Sequence, residues 1–176
     1  MTLEQLWAGW RHEYITAATA TPEGDDSVGA ADGMCVMCRL VAAQDQEAAG
    51  VVWRSPTVTV ALNAYPYTSG HVMVIPTRHV GDLGDLAPGD FSELWLGVGD
   101  AVAAVRAAYR PDGVNLGANI GRSAGAGVPG HLHIHVLPRW AGDTNFATTV
   151  AGLRVLPEAL QVSWAKLRSA WPGRQP

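Results

Sequence analysis

Lysine is almost missing from this 176-residue chain: Lys166 stands alone beside eleven arginines, and the formal net charge is −4. A surface without excess positive charge excludes broad, non-specific binding to nucleic acid, which depends on neutralising many phosphates. It leaves room for a local anion pocket. The preference for arginine over lysine is read as the mark of a GC-rich genome rather than of function. Cysteine is scarce too, with only Cys35 and Cys38, so a secreted disulfide framework is excluded. No uninterrupted apolar run approaches the ~18 residues of a membrane span. Near the start, Arg11, His12 and Glu13 interrupt any apolar signal-peptide core. A soluble cytoplasmic protein with no membrane partner is expected. Apolar residues make up 48% of the chain, enough for a sizeable core in one domain.

What the chain does have is a row of histidines. His131, His133 and His135 alternate with Leu132, Ile134 and Val136. In a β-strand, alternate side chains share a face. The spacing therefore predicts a strand with three imidazoles on one face and an apolar anchor on the other. Imidazole ligates metals, moves protons and can attack phosphorus, so the row points to chemistry rather than to incidental surface histidines.

The rest of the chain reads as α+β with a mainly antiparallel sheet. An amphipathic helix is expected over residues 3–16, followed by a Gly/Asp/Pro-rich linker over 21–33. Strands are expected over 51–54, 57–62, 71–76, 113–120 and the histidine segment. Ser55-Pro56 should turn between the first two. Pro88 should open a long helix that reaches Tyr109 and closes before Pro111. A last helix is expected over 157–171. The domain plan is residues 1–33 as N-terminal helix and linker, 34–155 as the domain proper, and 156–176 as C-terminal helix.

Several groups have two readings. Gly121 to Gly130 can be a flexible connection or, abutting three histidines, a loop whose backbone N–H groups approach an anion, with Arg122 and Ser123 as added donors. Cys35-Val-Met-Cys38 can be redox-active, metal-binding or incidental. Zinc needs four ligands, and His79 and His131 are candidates to complete the set. Asn63, Asn115 and Asn119 suit either local hydrogen bonding or ribose and phosphate recognition. His71, behind Gly70 at a strand start, is read as structural, and His12 as solvated.

His131-Leu-His-Ile-His-Val-Leu137 resembles the signature of the histidine triad (HIT) superfamily, and Gly70-His71-Val-Met-Val-Ile-Pro76 and Asn119-Ile-Gly121 fit it. The flanking segments Ala61 to His71 and Pro138 to Phe146 look like the bacterial diadenosine tetraphosphate phosphorylase branch, which is close to the fragile-histidine-triad hydrolases. The resemblance covers roughly residues 34–155. It implies a nucleotide substrate, adenine nucleotides first, and attack on its α-phosphorus by His133. A nucleotidyl-histidine would then pass to phosphate or water. It implies that His135 serves the phosphates and Asn63 the ribose. Asn119, Arg122, Ser123, Gly127 and Trp140 would line the nucleotide site. It implies structural zinc on Cys35, Cys38, His79 and His131, and a homodimer with one continuous sheet, here assigned to the region Phe91 to Ile120. One position departs from the pattern. Hydrolases of the superfamily commonly carry Gln four residues before the first triad histidine, and the phosphorylase branch Ser. This chain carries Gly127, so that side-chain contact is missing or has moved to Ser123 or to backbone N–H groups.

Overall fold

The computed structural model describes residues 34–144 and 158–173. Five strands form one antiparallel sheet: β1 (Val51–Arg54), β2 (Val58–Leu62), β3 (Val72–Pro76), β4 (Gly113–Gly117) and β5 (Ile134–Arg139). Their order across the sheet is β1-β2-β3-β5-β4, so β5 lies at the centre of the histidine face between β3 and β4. Among the described residues, three α-helices accompany the sheet: α1 (Val36–Ala42), α2 (Pro88–Tyr109) and α3 (Leu160–Ser169). The α+β expectation holds. The expected helix over 3–16 and linker over 21–33 lie outside the described residues.

Alternation sorts the strands into two faces. Val58, Val60 and Leu62 of β2, Val72 and Val74 of β3, and Ile134 and Val136 of β5 turn toward α2 and form the larger core. Leu94, Val98, Ala101, Ala104 and Val105 supply the helix side of it. Each fully buried Leu or Val here contributes roughly 1.5–3 kcal/mol of apolar transfer. The helix approaches closely because its contact positions are small. A Cβ at Gly97 would come within 3.1 Å of Val58 and 3.3 Å of Val74. Pro88 stands in the first turn of α2, and Arg110, in the left-handed region at φ 47°, closes it ahead of Pro111.

The opposite face carries a smaller core of Val51, Ala61, Met73 and Ile75 packed under Cys35 and Met37. Seven-residue α1 is too short to hold itself. The Arg54 guanidinium caps it, donating to the Leu40 and Ala43 carbonyls at 3.1 and 3.0 Å. At the β1 edge, α3 sends the Trp164 indole N–H to the Val51 carbonyl at 2.9 Å and Arg168 to the Val52 carbonyl at 2.7 Å. Trp171 stacks on Trp53. Among the described residues, β4 has a strand neighbour on one side only.

Two boundaries differ from the sequence reading for one connected reason. The histidine segment enters the sheet only at Ile134, opposite Val74. Before that, the Leu132 N–H is drawn to the Val80 carbonyl at 2.6 Å, off the ladder. His131 and His133 therefore precede the strand, and only His135 lies within it. With the partner strand of β4 beginning at Ile134, the ladder runs out just past Gly117, which sits opposite His135. β4 ends there rather than at Ile120. The last helix is trimmed to Leu160–Ser169.

Candidate active site

The two ends of the histidine segment are held by different chemistry. At one end, His131 is fully buried. Its Nε2–H donates to the Pro76 carbonyl at 2.9 Å, the end of β3. That bond assigns the proton to Nε2 and leaves the Nδ1 lone pair facing two thiols. Cys35 Sγ lies 3.6 Å and Cys38 Sγ 3.5 Å from it. Cys35 precedes the first residue of α1 and Cys38 lies in its first turn, a spacing that puts both thiols on one side of a helix. His79, just past β3, brings its Nδ1 to 3.2 Å from Cys38 Sγ. The four ligand atoms lie within 4.8 Å of one another.

These separations can be tested against a metal. Tetrahedral coordination with bonds of about 2.3 Å to sulfur and about 2.0–2.1 Å to nitrogen requires S···N edges of roughly 3.6 Å. The three measured S···N distances bracket or approach that edge. Two thiols and two imidazoles, one imidazole already locked in the ligating tautomer, fit a tetrahedral ion. The neighbouring backbone is equally close-packed: a Cβ on Gly81 would stand 2.9 Å from the Pro129 carbonyl oxygen. Glycine is thus required where the chain after His79 passes the chain before His131.

At the other end, a chain of donors sets the tautomers. The Tyr67 N–H donates to His71 Nδ1 at 3.1 Å. A backbone N–H can only donate, so that nitrogen is bare and His71 carries its proton on Nε2. His71 Nε2–H donates in turn to His135 Nδ1 at 2.9 Å. His135 therefore carries its proton on Nε2 and offers a donor outward. His71 is itself fully buried. It follows Gly70, whose φ of +79° suits glycine and whose absent Cβ would collide with the Tyr109 ring at 2.5 Å. Tyr109 is anchored by its hydroxyl on Glu158 at 2.6 Å. Burial, then that hydrogen bond, pushes its pKa well above the ordinary phenol value.

His133 sits between the two ends. Its Nδ1–H donates to the carbonyl of His131 at 2.8 Å, which frees the Nε2 lone pair. Burial lowers its pKa, with the bond to the His131 carbonyl pulling the other way. His135 is lowered to about 4, by burial first and by the charge of His133 second. Both rings are thus neutral at pH 7. Their centroids are 4.9 Å apart, at 77° to each other. That is closer than the ~7 Å strand repeat, because His133 lies off the ladder and its ring tilts toward His135. A neutral imidazole with a bare nitrogen beside a neutral imidazole with an outward N–H is an arrangement for attack on an electrophile and stabilisation of the negative charge beside it.

The remaining candidates are placed as follows. The glycine-rich loop holds a single 3₁₀ turn, Arg122–Ala124, and the Asn119 side chain closes it by donating to the Gly125 carbonyl at 3.3 Å. Ser123 and Gly127 are exposed in that loop, and a Cβ on Gly127 would meet nothing within 4 Å. Asn63, at the end of β2, accepts the Tyr65 N–H on Oδ1 at 2.9 Å and so shapes the next loop. Asn115 accepts from Arg139 at 2.8 Å. The structure does not bring Trp140 to the histidines; it packs edge-on against Tyr109, which belongs to the α2 side of the sheet. The sequence reading missed His71 as part of the site. The available signal was phase: His71, Met73 and Ile75 alternate on the same face as His135.

An antiparallel sheet with paired imidazoles at its centre, one bare and one donating, beside a glycine-rich loop defines the histidine triad class. The chain belongs to the HIT family: the HIT domain model matches residues 44–142. It is 37% identical to the AP-4-A phosphorylase of Mycobacterium tuberculosis over 174 residues, 99% of this chain and 87% of that one. It is 33% identical to the asymmetrical bis(5'-nucleosyl)-tetraphosphatase of Schizosaccharomyces pombe over 93 residues, 53% of this chain and 50% of that one. Among solved structures, a zinc-bound histidine triad family protein from Mycobacterium smegmatis matches at a TM-score of 0.62 and 29% identity, covering 77% of this chain and 91% of that one. Among the described residues no helix is long and apolar enough to cross a membrane.

Proposed function

We propose that this protein cleaves dinucleoside polyphosphates, diadenosine tetraphosphate first among them, through a nucleotide carried on His133, and passes that nucleotide to inorganic phosphate. The observation that carries the reading is the bare Nε2 of His133, whose other nitrogen is committed to the His131 carbonyl. The nearly full-length similarity to an AP-4-A phosphorylase supports the substrate class and the acceptor.

The chemistry balances as follows. Nε2 forms a bond to the α-phosphorus, and the bond from that phosphorus to its bridging oxygen breaks. ATP leaves. The imidazole becomes positively charged, and its Nδ1–H stays on the His131 carbonyl, which stabilises that charge. His135 contributes a hydrogen bond to the departing polyphosphate rather than a transferred proton. Full transfer would leave a bare nitrogen on both sides of the His135 ring unless His71 gave up its proton too, and ATP is a stable anion without one. Backbone N–H groups of the 121–130 loop, other than those of Ala124, Gly125 and Ala126 that bond within it, would meet the same charge. Phosphate then attacks the α-phosphorus, releasing ADP and restoring neutral His133.

Zinc is the ion assigned to Cys35, Cys38, His79 and His131. Four protein ligands leave no open position, so its role is structural. Bound, it would hold α1 against the segment that bears His133. A homodimer is assigned to the open β4 edge and the adjoining face of α2, where Phe91, Trp95, Leu96, Leu116 and Ile120 are exposed. Light scattering at micromolar concentration should return twice the 18.6 kDa chain mass.

A second reading keeps the same intermediate but uses water. Similarity to a tetraphosphatase favours it. Phosphorus NMR with diadenosine tetraphosphate separates them. With phosphate present, ADP plus ATP supports phosphorolysis, and AMP plus ATP indicates water. No cleavage under either condition would overturn the reading.

A further inference from the structure

The loop between β2 and β3 holds two tyrosines out of the core. Tyr65 is 85% exposed and Tyr67 46% exposed. Neither position is loose. The Tyr65 N–H is tied to Asn63 Oδ1 at 2.9 Å and the Tyr67 N–H to His71 Nδ1 at 3.1 Å. The loop is closed by Asn63 N–H to the His71 carbonyl at 3.0 Å and by His71 N–H to the Thr68 carbonyl at 3.2 Å. Pro66, between the tyrosines, restricts the backbone further. An aromatic ring left in water on a backbone already ordered is poised for stacking, since the ordering cost is met before a ligand arrives.

Position gives the loop its ligand. The Tyr67 ring lies 6.0 Å from the His135 ring at an interplanar angle of 29°, and 4.7 Å from His71. His135 in turn lies 4.9 Å from His133. Tyr67 is thus in ring contact with His135, the proposed donor to the departing chain, and His135 with His133, the proposed nucleophile. Of the other large aromatics with described packing, Trp53, Trp164, Trp171, Tyr109 and Trp140 belong to or touch the core on the α2 side, and Phe91 and Trp95 pair with each other on α2 itself.

We infer that Tyr65 and Tyr67 form a stacking subsite for the second nucleobase, the one that leaves with the polyphosphate. The inference rests on the dinucleoside polyphosphate reading above. Every base has a π-face, so the subsite would favour a second nucleoside without strong choice among bases.

The test compares kcat/KM for diadenosine tetraphosphate and for adenosine 5'-tetraphosphate, which lacks the second nucleoside. Wild-type protein should prefer the dinucleoside by about tenfold, within the range expected for base stacking. Tyr65→Ala and Tyr67→Leu should each cut that preference by about fivefold, and Tyr65→Phe should keep it. Since Tyr65 is exposed, its replacement spares the core and the ratio stays measurable. An unchanged ratio in Tyr65→Ala, with wild-type protein active, would overturn the subsite alone. Wild-type protein that cleaves neither compound would overturn the reading of function, and the subsite with it.

Discussion

His131 and His135 stand four residues apart on one segment and are wired in opposite senses. His131 commits Nε2–H to a carbonyl and turns a bare Nδ1 to two thiols. His135 accepts on Nδ1 from His71 and turns Nε2–H outward. One end thus presents a bare nitrogen and the other a donor, although both rings are buried. His133, between them, borrows from the ligand end. Its tautomer is set by the main-chain carbonyl of His131, so whatever anchors His131 also orients His133, the proposed nucleophile. Identical side chains acquire different functions through the partner of the nitrogen that does no chemistry.

The comparison breaks most completely at its centre. His133→Ala should reduce turnover of diadenosine tetraphosphate on the order of a thousandfold or more, while nucleotide affinity by equilibrium dialysis changes little. A matching loss of affinity would mean that His133 binds rather than attacks. The ligand end comes next. Cys35→Ser combined with Cys38→Ser should take zinc, by elemental analysis, from one per chain to none. It should also lower kcat about 10- to 100-fold through the loosened His131 carbonyl. Full activity without metal would cut the proposed link between the two.

The donor end should be gentler. His71→Ala leaves His135 Nδ1 without its donor and free to take either tautomer. A loss of about tenfold in kcat is expected, partly restored in His71→Gln, whose amide can donate. A separate effect concerns stability. The folded pKa of His135, about 4, lies below its ordinary 6.5. Between those values the unfolded chain binds more protons, so stability rises with pH. This contribution, on the order of 3 kcal/mol, is complete above about pH 6.5 and lost as pH falls toward 4. Urea titrations at pH 7 and 4.5 should show a smaller acid penalty in His135→Gln than in wild-type protein.

Much of this was legible in the sequence, for reasons that also explain the remainder. Pro88, Tyr109 and Pro111 bounded α2 because proline constrains helix starts and stops locally. Leu132, Ile134 and Val136 announced a buried face because period-two alternation survives even where the ladder has not yet begun. The ladder's start at Ile134 was not legible, since it depends on the Val80 carbonyl reached across the fold. Surplus apolar residues on α2 were visible, but which were surplus was not: Leu94, Val98 and Val105 went to the chain's own core, and Phe91, Trp95 and Leu96 stayed exposed. Cys35, Cys38, His79 and His131 do converge. His71 was passed over because its role lies in a hydrogen bond to a residue 64 positions away, and no spacing rule reports a tautomer.

Tautomers can be read directly. Long-range ¹H–¹⁵N correlation spectra of ¹⁵N-histidine-labelled, zinc-loaded protein at pH 7 distinguish a protonated ring nitrogen, a bare one and a metal-bound one. The wiring described above predicts a proton on Nδ1 and a bare Nε2 for His133. It predicts the reverse for His135 and His71, and a metal-bound Nδ1 for His131. A proton on Nε2 of His133 would leave no lone pair aimed at phosphorus and would contradict the account.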